Sequence, residues 1–390
     1  MTTSQPCTII PGYLLHRLAE AEPELAPAVE FTLQDGSRTR SRREIEATRW
    51  PGGHAPLQGG ILPPTMPVPT STPAPPSAPE EAPGRAGALA SAVPEEARPE
   101  RRVHDAQHGT TLPGTLVRAE GDPETDDVAV TEAYDGLGAT WDLLARVYGR
   151  DSLDGQGLTL PATVHYSRDY DNAFWDGRQM VFGDGDGVYF TRFTASLDVI
   201  AHELAHGLVQ YTAGLTYVGQ PGALNESVCD VIGSLVRQRV LGQSATEADW
   251  LIGSQLVTDR VRGVALRSMA APGTAYDDPA LGTDPQPGHM DDYVDLPHDA
   301  DNDNGGVHIN SGIPNRAFHL FATALGGSSW ERAGQVWFDT LATRGLIPRD
   351  ADFLTFASAT LTTARDRYAE DPEVVEALLG AWSGVGLEVD

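Results

Sequence analysis

Lysine is absent from this chain of 390 residues. All 27 basic side chains are arginine, against 55 Asp and Glu, and the formal charge at pH 7 is −28. That balance excludes nucleic acid and anionic membrane surfaces as partners, because both call for a basic face that displaces counterions. Cysteine is nearly absent. Cys7 and Cys229 allow one bridge at most, so no disulfide framework holds the fold, and neither redox compartment is excluded. Long apolar runs are missing as well, and no stretch approaches the roughly 18 residues of a membrane span. The first residues, Met1 to Pro6, have no basic start and no long apolar stretch. They do not read as a secretory signal peptide, which favours the cytoplasm.

Residues 51–100 lack Phe, Tyr and Trp and hold 13 of the 29 prolines. Such a stretch cannot bury enough apolar surface to offset its ordering entropy, and it reads as a disordered linker. It divides the chain. Residues 1–50 form a short module with an apolar patch at Ile9–Leu15, a helix through Leu18 and a strand at Val29–Leu33. Its core is too small to stand alone. Residues 101–390 carry 19 Arg against 43 acids, so the strong negative field belongs to this larger part.

The larger part changes texture along its length. Up to about residue 195, period-two alternation at Ala162–Tyr166 and short apolar runs at Gln179–Phe182 and Val188–Phe190 predict strands. One helix near Thr131–Val147 interrupts them, and Gly183–Gly187 reads as a turn. From Leu197 onward the pattern is helical. Ser328–Glu331 has the spacing of a capping box. Asp371-Pro372 places a cap and then proline at a helix start, and Gly384 follows its end. Strands followed by helices imply an α+β arrangement in two lobes.

The chemistry concentrates at His202-Glu203-Leu204-Ala205-His206, inside the helical run Leu197–Tyr211. Residues four apart share a helix face, so both imidazoles reach one zinc ion with Glu203 beside it as general base. A second helix is predicted from Asn225. Glu226 on it offers a third ligand, leaving the fourth position to water. The competing reading of Glu226 is a solvated acid at a helix N-terminus. Asp230, four residues on, is placed to accept a hydrogen bond from the far nitrogen of a ligand imidazole. Cys229, on another face, reads as a small buried apolar filler.

Further blocks accompany this motif: Asn172–Trp175, Tyr211–Tyr217, Asn225–Asp230, Leu266–Met269 and Asp303–Gly312. In order and spacing they resemble the thermolysin family of neutral zinc metalloproteases, and more narrowly its protealysin-type branch, over residues 101–390. The resemblance implies a two-lobed zincin fold. A β-rich lobe (101–217) would contain the zinc helix, a mostly helical lobe (218–390) would follow, and the cleft would lie between them. It implies one zinc held by His202, His206 and Glu226, with Glu203 as base. His308 matches the donor to the oxyanion, Tyr217 its phenolic helper and Asp303 the acid that orients His308. Asn172, Ala173 and Arg267 match groups that hold the peptide backbone. Phe190, Phe193, Val199, Ile252 and Leu266 match the apolar pocket for the residue after the scissile bond.

The family pattern also carries a double calcium site. Asp198 and Asp249 stand at its positions, but Arg237, Leu251 and Ser254 replace the other acids, so no calcium is expected there. The acid-rich loop Asp291–Asp303 lacks the glycine and closing glutamate of an EF-hand. The module at 1–50 resembles the short propeptide of the protealysin-type branch. The whole then reads as a precursor of an endopeptidase that cuts before bulky apolar residues, with peptides, proteins and its own propeptide as partners. Family membership favours secretion, against the cytoplasm suggested by the first residues. The alternatives are a relative that binds without catalysis, and a zinc exopeptidase.

Overall fold

A computed structural model of the chain describes residues 8–35 and 93–390. The alternating segment around Ala162 forms β3 (Leu160–Val164), the centre of a five-stranded sheet among the described residues. Its order is β2 (Thr115–Ala119), β1 (Arg101–Asp105), β3, β5 (Met180–Phe182) and β4 (Ala173–Trp175). β1–β3 and β3–β5 run parallel, and the two flanking pairs run antiparallel. This leaves β4 as an edge beside the cleft. Val188–Phe190, predicted as a strand, instead forms a turn with one bridge, Phe190 to Val257. Three N–H groups there are satisfied by the Asp186 carboxylate rather than by a ladder.

The predicted helix near residue 131 is α3 (Val128–Asp142), continued by a wider turn at Leu143–Val147. Asp127 caps it, accepting from Ala129 N and Val130 N. α4 (Leu197–Gln210) and α5 (Gly219–Leu241) lie in direct contact in the middle of the molecule, and both are almost wholly buried. A Cβ on Gly233 would fall 2.5 Å from the Asp198 carbonyl, so glycine permits this approach. α5 starts six residues before the predicted Asn225. Glu226 is therefore buried in the third turn and is not a solvated terminal acid.

The helical lobe continues with a short segment α6 (Asp303–Asn310), then α7 (Gly312–Leu325), α8 (Arg332–Ala342), α9 (Phe353–Arg367) and α10 (Pro372–Ser383). Trp337 is its centre, stacked on Trp382 at 5.6 Å and edge-on to Phe318 at 5.0 Å. Pro372 and Gly384 bound α10 as predicted. The capping box at Ser328–Glu331 does not form. Glu331 precedes α8 without a side-chain cap, and Ser328 contributes its carbonyl, not its hydroxyl, to Glu331 N at 3.1 Å.

In the N-terminal module α1 (Gly12–Ala21) agrees with the prediction, and Leu14, Leu15 and Leu18 are buried. The strand predicted at Val29–Leu33 is instead a helix, α2, over residues 26–35. Val29, Thr32 and Asp35 are its buried positions, a spacing of three that only a helix presents to one side. Cys7 and linker residues 51–92 lie outside the described residues. Residues 93–100, read as linker, are anchored to the larger part of the chain, because Arg146 donates to Pro94 O (2.9 Å) and Ala97 O (2.6 Å).

His165 ties the cap of α3 to the Gly183–Gly187 turn. Its Nε2 meets Asp127 at 2.9 Å and its Nδ1 meets Asp184 at 2.9 Å. The bond to Asp184 outweighs burial and, with Asp127, pushes the imidazole up to about 9. A folded-state value above the unfolded one, about 6.5, stabilises the fold below that pH, and the gain is lost as pH rises through about 9. His165→Asn should lower Tm at about pH 6 and approach wild type near pH 10. An equal loss at both pH values, measured by calorimetry of the full chain, would contradict this.

Candidate active site

Four elements converge on one buried spot. α4 presents His202, Glu203 and His206, α5 presents Glu226 and Asp230, β7 (Arg267–Ser268) carries Arg267, and α6 carries His308. The ligand atoms of His202, Glu203 and His206 lie within 4.8 Å of one another. Glu226 reaches both imidazoles, at 3.4 Å from His202 Nε2 and 3.5 Å from His206 Nε2. Neither separation is a hydrogen bond, and His202 Nε2 and Glu226 Oε2 are buried without one. A tetrahedral zinc with ligands at 2.0–2.1 Å puts neighbouring donors about 3.3 Å apart. The His₂Glu set thus fits zinc by chemistry and by spacing.

The outer nitrogens are held as well. His202 Nδ1 meets Asp230 Oδ1 at 2.8 Å. Arg267 donates twice to the same carboxylate, at 2.9 and 2.8 Å. Burial opposes the charge on Asp230, yet Arg267 and His202 pull its carboxyl down to about 2. Burial likewise opposes ionisation of Glu226, and the three imidazoles of His308, His206 and His202 hold it well below the ordinary range. His206 Nδ1 meets Asn225 Oδ1 at 2.9 Å and Cys229 Sγ at 3.2 Å. Cys229 is thus not an inert filler but a polar contact of a candidate ligand. Asn225 and Cys229 are four apart, and that shared face was the signal that could have revealed both. Glu203 Oε2 accepts from Trp175 N at 3.1 Å, an anchor with no signature in the sequence.

Asp303, Asn304, Gly305 and Gly306 all have positive φ, a left-handed turn before the right-handed residues of α6. Asp and Asn tolerate this region better than other side chains with a Cβ. The turn brings Asp303 back onto His308, with Oδ2 on its backbone N–H at 2.8 Å and Oδ1 on its Nδ1 at 2.6 Å. The Tyr217 hydroxyl lies 3.3 Å from His308 Nε2 and donates to Glu226 Oε1.

The chain's own N-terminal segment lies across this constellation. Thr8 bridges to Phe174 antiparallel at the β4 edge. His308 Nε2 is 3.0 Å from Thr8 O. Ile9 N donates to Ala173 O (3.4 Å), and Ile9 O accepts from Arg267 (3.2 Å). Asn172 brackets Ile10, accepting from its N–H at 3.1 Å and donating to its carbonyl at 3.0 Å. Phe190, Phe193, Val199, Ile252 and Leu266 are all buried nearby, with Ile252 paired to Arg267 across β6 (Leu251–Ile252) and β7. Farther out, Glu22 accepts from Tyr189 at 2.6 Å and pairs with Arg260, and Asp35 accepts from Tyr166 at 2.9 Å.

At the positions compared with calcium ligands, Arg237 donates to both oxygens of Asp249, at 2.7 and 2.9 Å. Asp198 is buried on Ser196 Oγ and Gly253 N. Burial pushes its carboxyl up, and Ser196 and Arg237 offset only part of that. A guanidinium supplies the positive charge here.

Family models of thermolysin metallopeptidases match in two parts, the catalytic domain over residues 93–210 and the alpha-helical domain over 213–387. An extracellular metalloprotease of Pectobacterium carotovorum subsp. carotovorum is 55% identical over 289 residues, 74% of this chain and 81% of that protein. Protease PrtS of Photorhabdus sp. (strain Az29) is 54% identical over 289 residues, 74% of this chain and 76% of that one. The solved precursor of protealysin, a metalloproteinase from Serratia proteamaculans, has a TM-score of 0.75 at 44% identity. That match covers 98% of this chain and 99% of the other.

His308 Nε2 is also 3.5 Å from Glu226 Oε2, so experiment has to tell a metal ligand from a donor to substrate. Glu226→Ala should lose the metal, whereas His308→Ala should keep it. Metal analysis after dialysis checks this, and equal loss in both variants would refute the separation.

Proposed function

Because the chain belongs to the thermolysin family of metallopeptidases, and is a zinc-dependent endopeptidase made as a precursor, we propose that His202, His206 and Glu226 hold the zinc and that Glu203 is the general base. When bound, zinc supplies Lewis-acid polarisation of the carbonyl and of water. Glu203 takes the water's proton and passes it to the leaving amine. His308 donates to the developing oxyanion, aided by Tyr217 and oriented by Asp303. Asn172, Ala173 and Arg267 hold the substrate backbone, and Asp230 positions His202 and Arg267 together. The apolar side chains Phe190, Phe193, Val199, Ile252 and Leu266 favour a bulky apolar residue after the scissile bond.

One observation carries this reading. A stretch of peptide backbone, Thr8–Ile10, already lies along the edge strand, with one carbonyl on His308, the next on Arg267 and the third on Asn172. The cleft is therefore built to grip an extended peptide in one direction. The same contacts make the N-terminal module a propeptide that competes with substrate. On a tether its effective concentration is high, so modest affinity suffices. We place the propeptide at 1–50, the connecting linker up to residue 92, and the two catalytic lobes at 93–217 and 218–390.

Glu203→Gln should retain zinc, lose nearly all turnover and leave the precursor uncut if maturation is its own work. Retention of about a tenth of wild-type kcat would refute the base assignment. His308→Ala should lose about 100–1,000-fold in kcat. A fragment of residues 93–390 should hydrolyse a short internal peptide faster than the uncut precursor, and an added 1–50 peptide should slow it. Equal rates, with no effect of the peptide, would refute latency.

A further inference from the structure

Two acids lie directly behind the Asn172 clamp, Asp171 fully buried and Asp186 half-buried. Asp171 is 0% exposed. Its Oδ1 accepts the Asp186 backbone N–H at 2.7 Å, and its Oδ2 is buried with no hydrogen-bond partner among the described residues. Asp186 organises the adjoining turn. Its Oδ1 accepts from Val188, Tyr189 and Phe190 N–H at 2.8, 2.8 and 2.9 Å, and its Oδ2 is also buried without a partner. The charged groups that face Asp171 are Asp186 across the turn and Asp169 on its own segment, both negative. Burial first, and the Asp186 charge second, push the Asp171 carboxyl well above the usual range.

Ionised, Asp171 would be a buried anion facing two further acids, with no counter-charge among the described residues, a costly arrangement. Either a cation or a proton removes the conflict. A hard cation takes six or more oxygen ligands and favours several carboxylates. Among the described residues no group of three or more acids and imidazoles forms around this pair. A proton needs only Asp171 itself, as for other buried carboxyls beside like charges.

We propose that Asp171 is carried as a neutral carboxylic acid, a positioning residue that locks the Asn172 clamp to the turn Gly183–Phe190. The proton cancels the buried charge at the unpartnered Oδ2 and leaves Oδ1 on the Asp186 N–H, the bond that ties the clamp segment to the turn. The clamp and the turn are in backbone contact, with Gly183 N on Asn172 O at 3.0 Å and Gly185 N on Tyr170 O at 3.3 Å. A Cβ on Gly183 would fall 2.0 Å from Tyr170 O, so the two segments have no slack. Loss of the proton would drive them apart. It would shift Asn172 on one side and Phe190 on the other, weakening the grip on peptide before it touches the chemistry. This consequence rests on the reading of Asn172 as a backbone clamp, whereas the protonation state does not.

Two measurements test the proposal separately. In the Glu203→Gln precursor near neutral pH, infrared difference spectra should show the C=O stretch of a buried carboxylic acid that vanishes in Asp171→Asn and survives in Asp284→Asn. A spectrum unchanged by Asp171→Asn overturns the proposal outright. In the active enzyme, Asp171→Ala should raise KM about tenfold with little change in kcat, and the neutral isostere Asp171→Asn should restore it. As pH rises, the wild-type KM should climb while that of Asp171→Asn stays flat. An Asp171→Asn enzyme with full zinc content and wild-type Tm that is as impaired as Asp171→Ala also overturns the proposal. If the infrared band behaves as stated but Asn172→Ala leaves KM unchanged, the clamp reading fails and the neutral acid stands.

Discussion

A single buried carboxylate holds the working parts in register. Asp230, on α5, accepts from His202 on α4, twice from Arg267 on β7, and from Asn315 on α7 at 2.8 Å. It is fully buried, so each of these bonds acts in a low-dielectric setting where leaving a partner out is costly. One consequence is mechanical. The group that holds the His202 imidazole also holds the guanidinium that receives the Ile9 carbonyl, so the candidate metal ligand and the N-terminal segment share a reference point. The second consequence concerns charge. In a chain at −28 the cleft still retains a cation, because Arg267 is buried in a bidentate pair and not exposed to the surrounding field.

The precursor exploits the same receptor groups. Thr8–Ile10 is short, and its bridge to Phe174 is a single one, yet its carbonyls fall on His308, Arg267 and Asn172 in succession. An edge strand offers unpaired backbone groups to any extended chain, and here the chain's own beginning takes them. The buried leucines of α1 add apolar area, while Glu22 and Asp35 reach hydroxyls of Tyr189 and Tyr166 at the far ends of the module. The hold is distributed, so no single contact has to be strong.

Much of the site was legible because helical spacing is strict. His202 and His206, and again Glu226 and Asp230, are four apart and therefore fall on shared faces whatever surrounds them. Other features were hidden by context. The start of α5 was obscured by Gly219, Pro221 and Gly222, which resemble a loop. Proline is tolerated in a first helical turn, and Gly222 is required because a Cβ would meet Val307 at 2.5 Å. Val29–Leu33 has the β-branched and aromatic content of a strand, but the catalytic lobe offers α2 a surface that takes every third residue. Ser329 has cap chemistry, yet its hydroxyl is buried where the chain turns into α8.

Local spacing along the chain marked out the H-E-x-x-H helix, Glu226 as its candidate carboxylate partner, the strand-to-helix change of texture and the proline-rich stretch after a short first segment. These follow from periodicity and composition, which need no knowledge of distant residues. Tertiary structure alone decided that Thr8 meets His308 across 300 positions, that the shared face of Asn225 and Cys229 turns to His206, that Arg267 and Asn315 join Asp230, and that Asp171 meets the Asp186 N–H with no counter-charge among the described residues. The reason is that hydrogen bonding and desolvation depend on which groups are brought together in space, and packing of four separate elements sets those meetings, not the order of residues within any one of them.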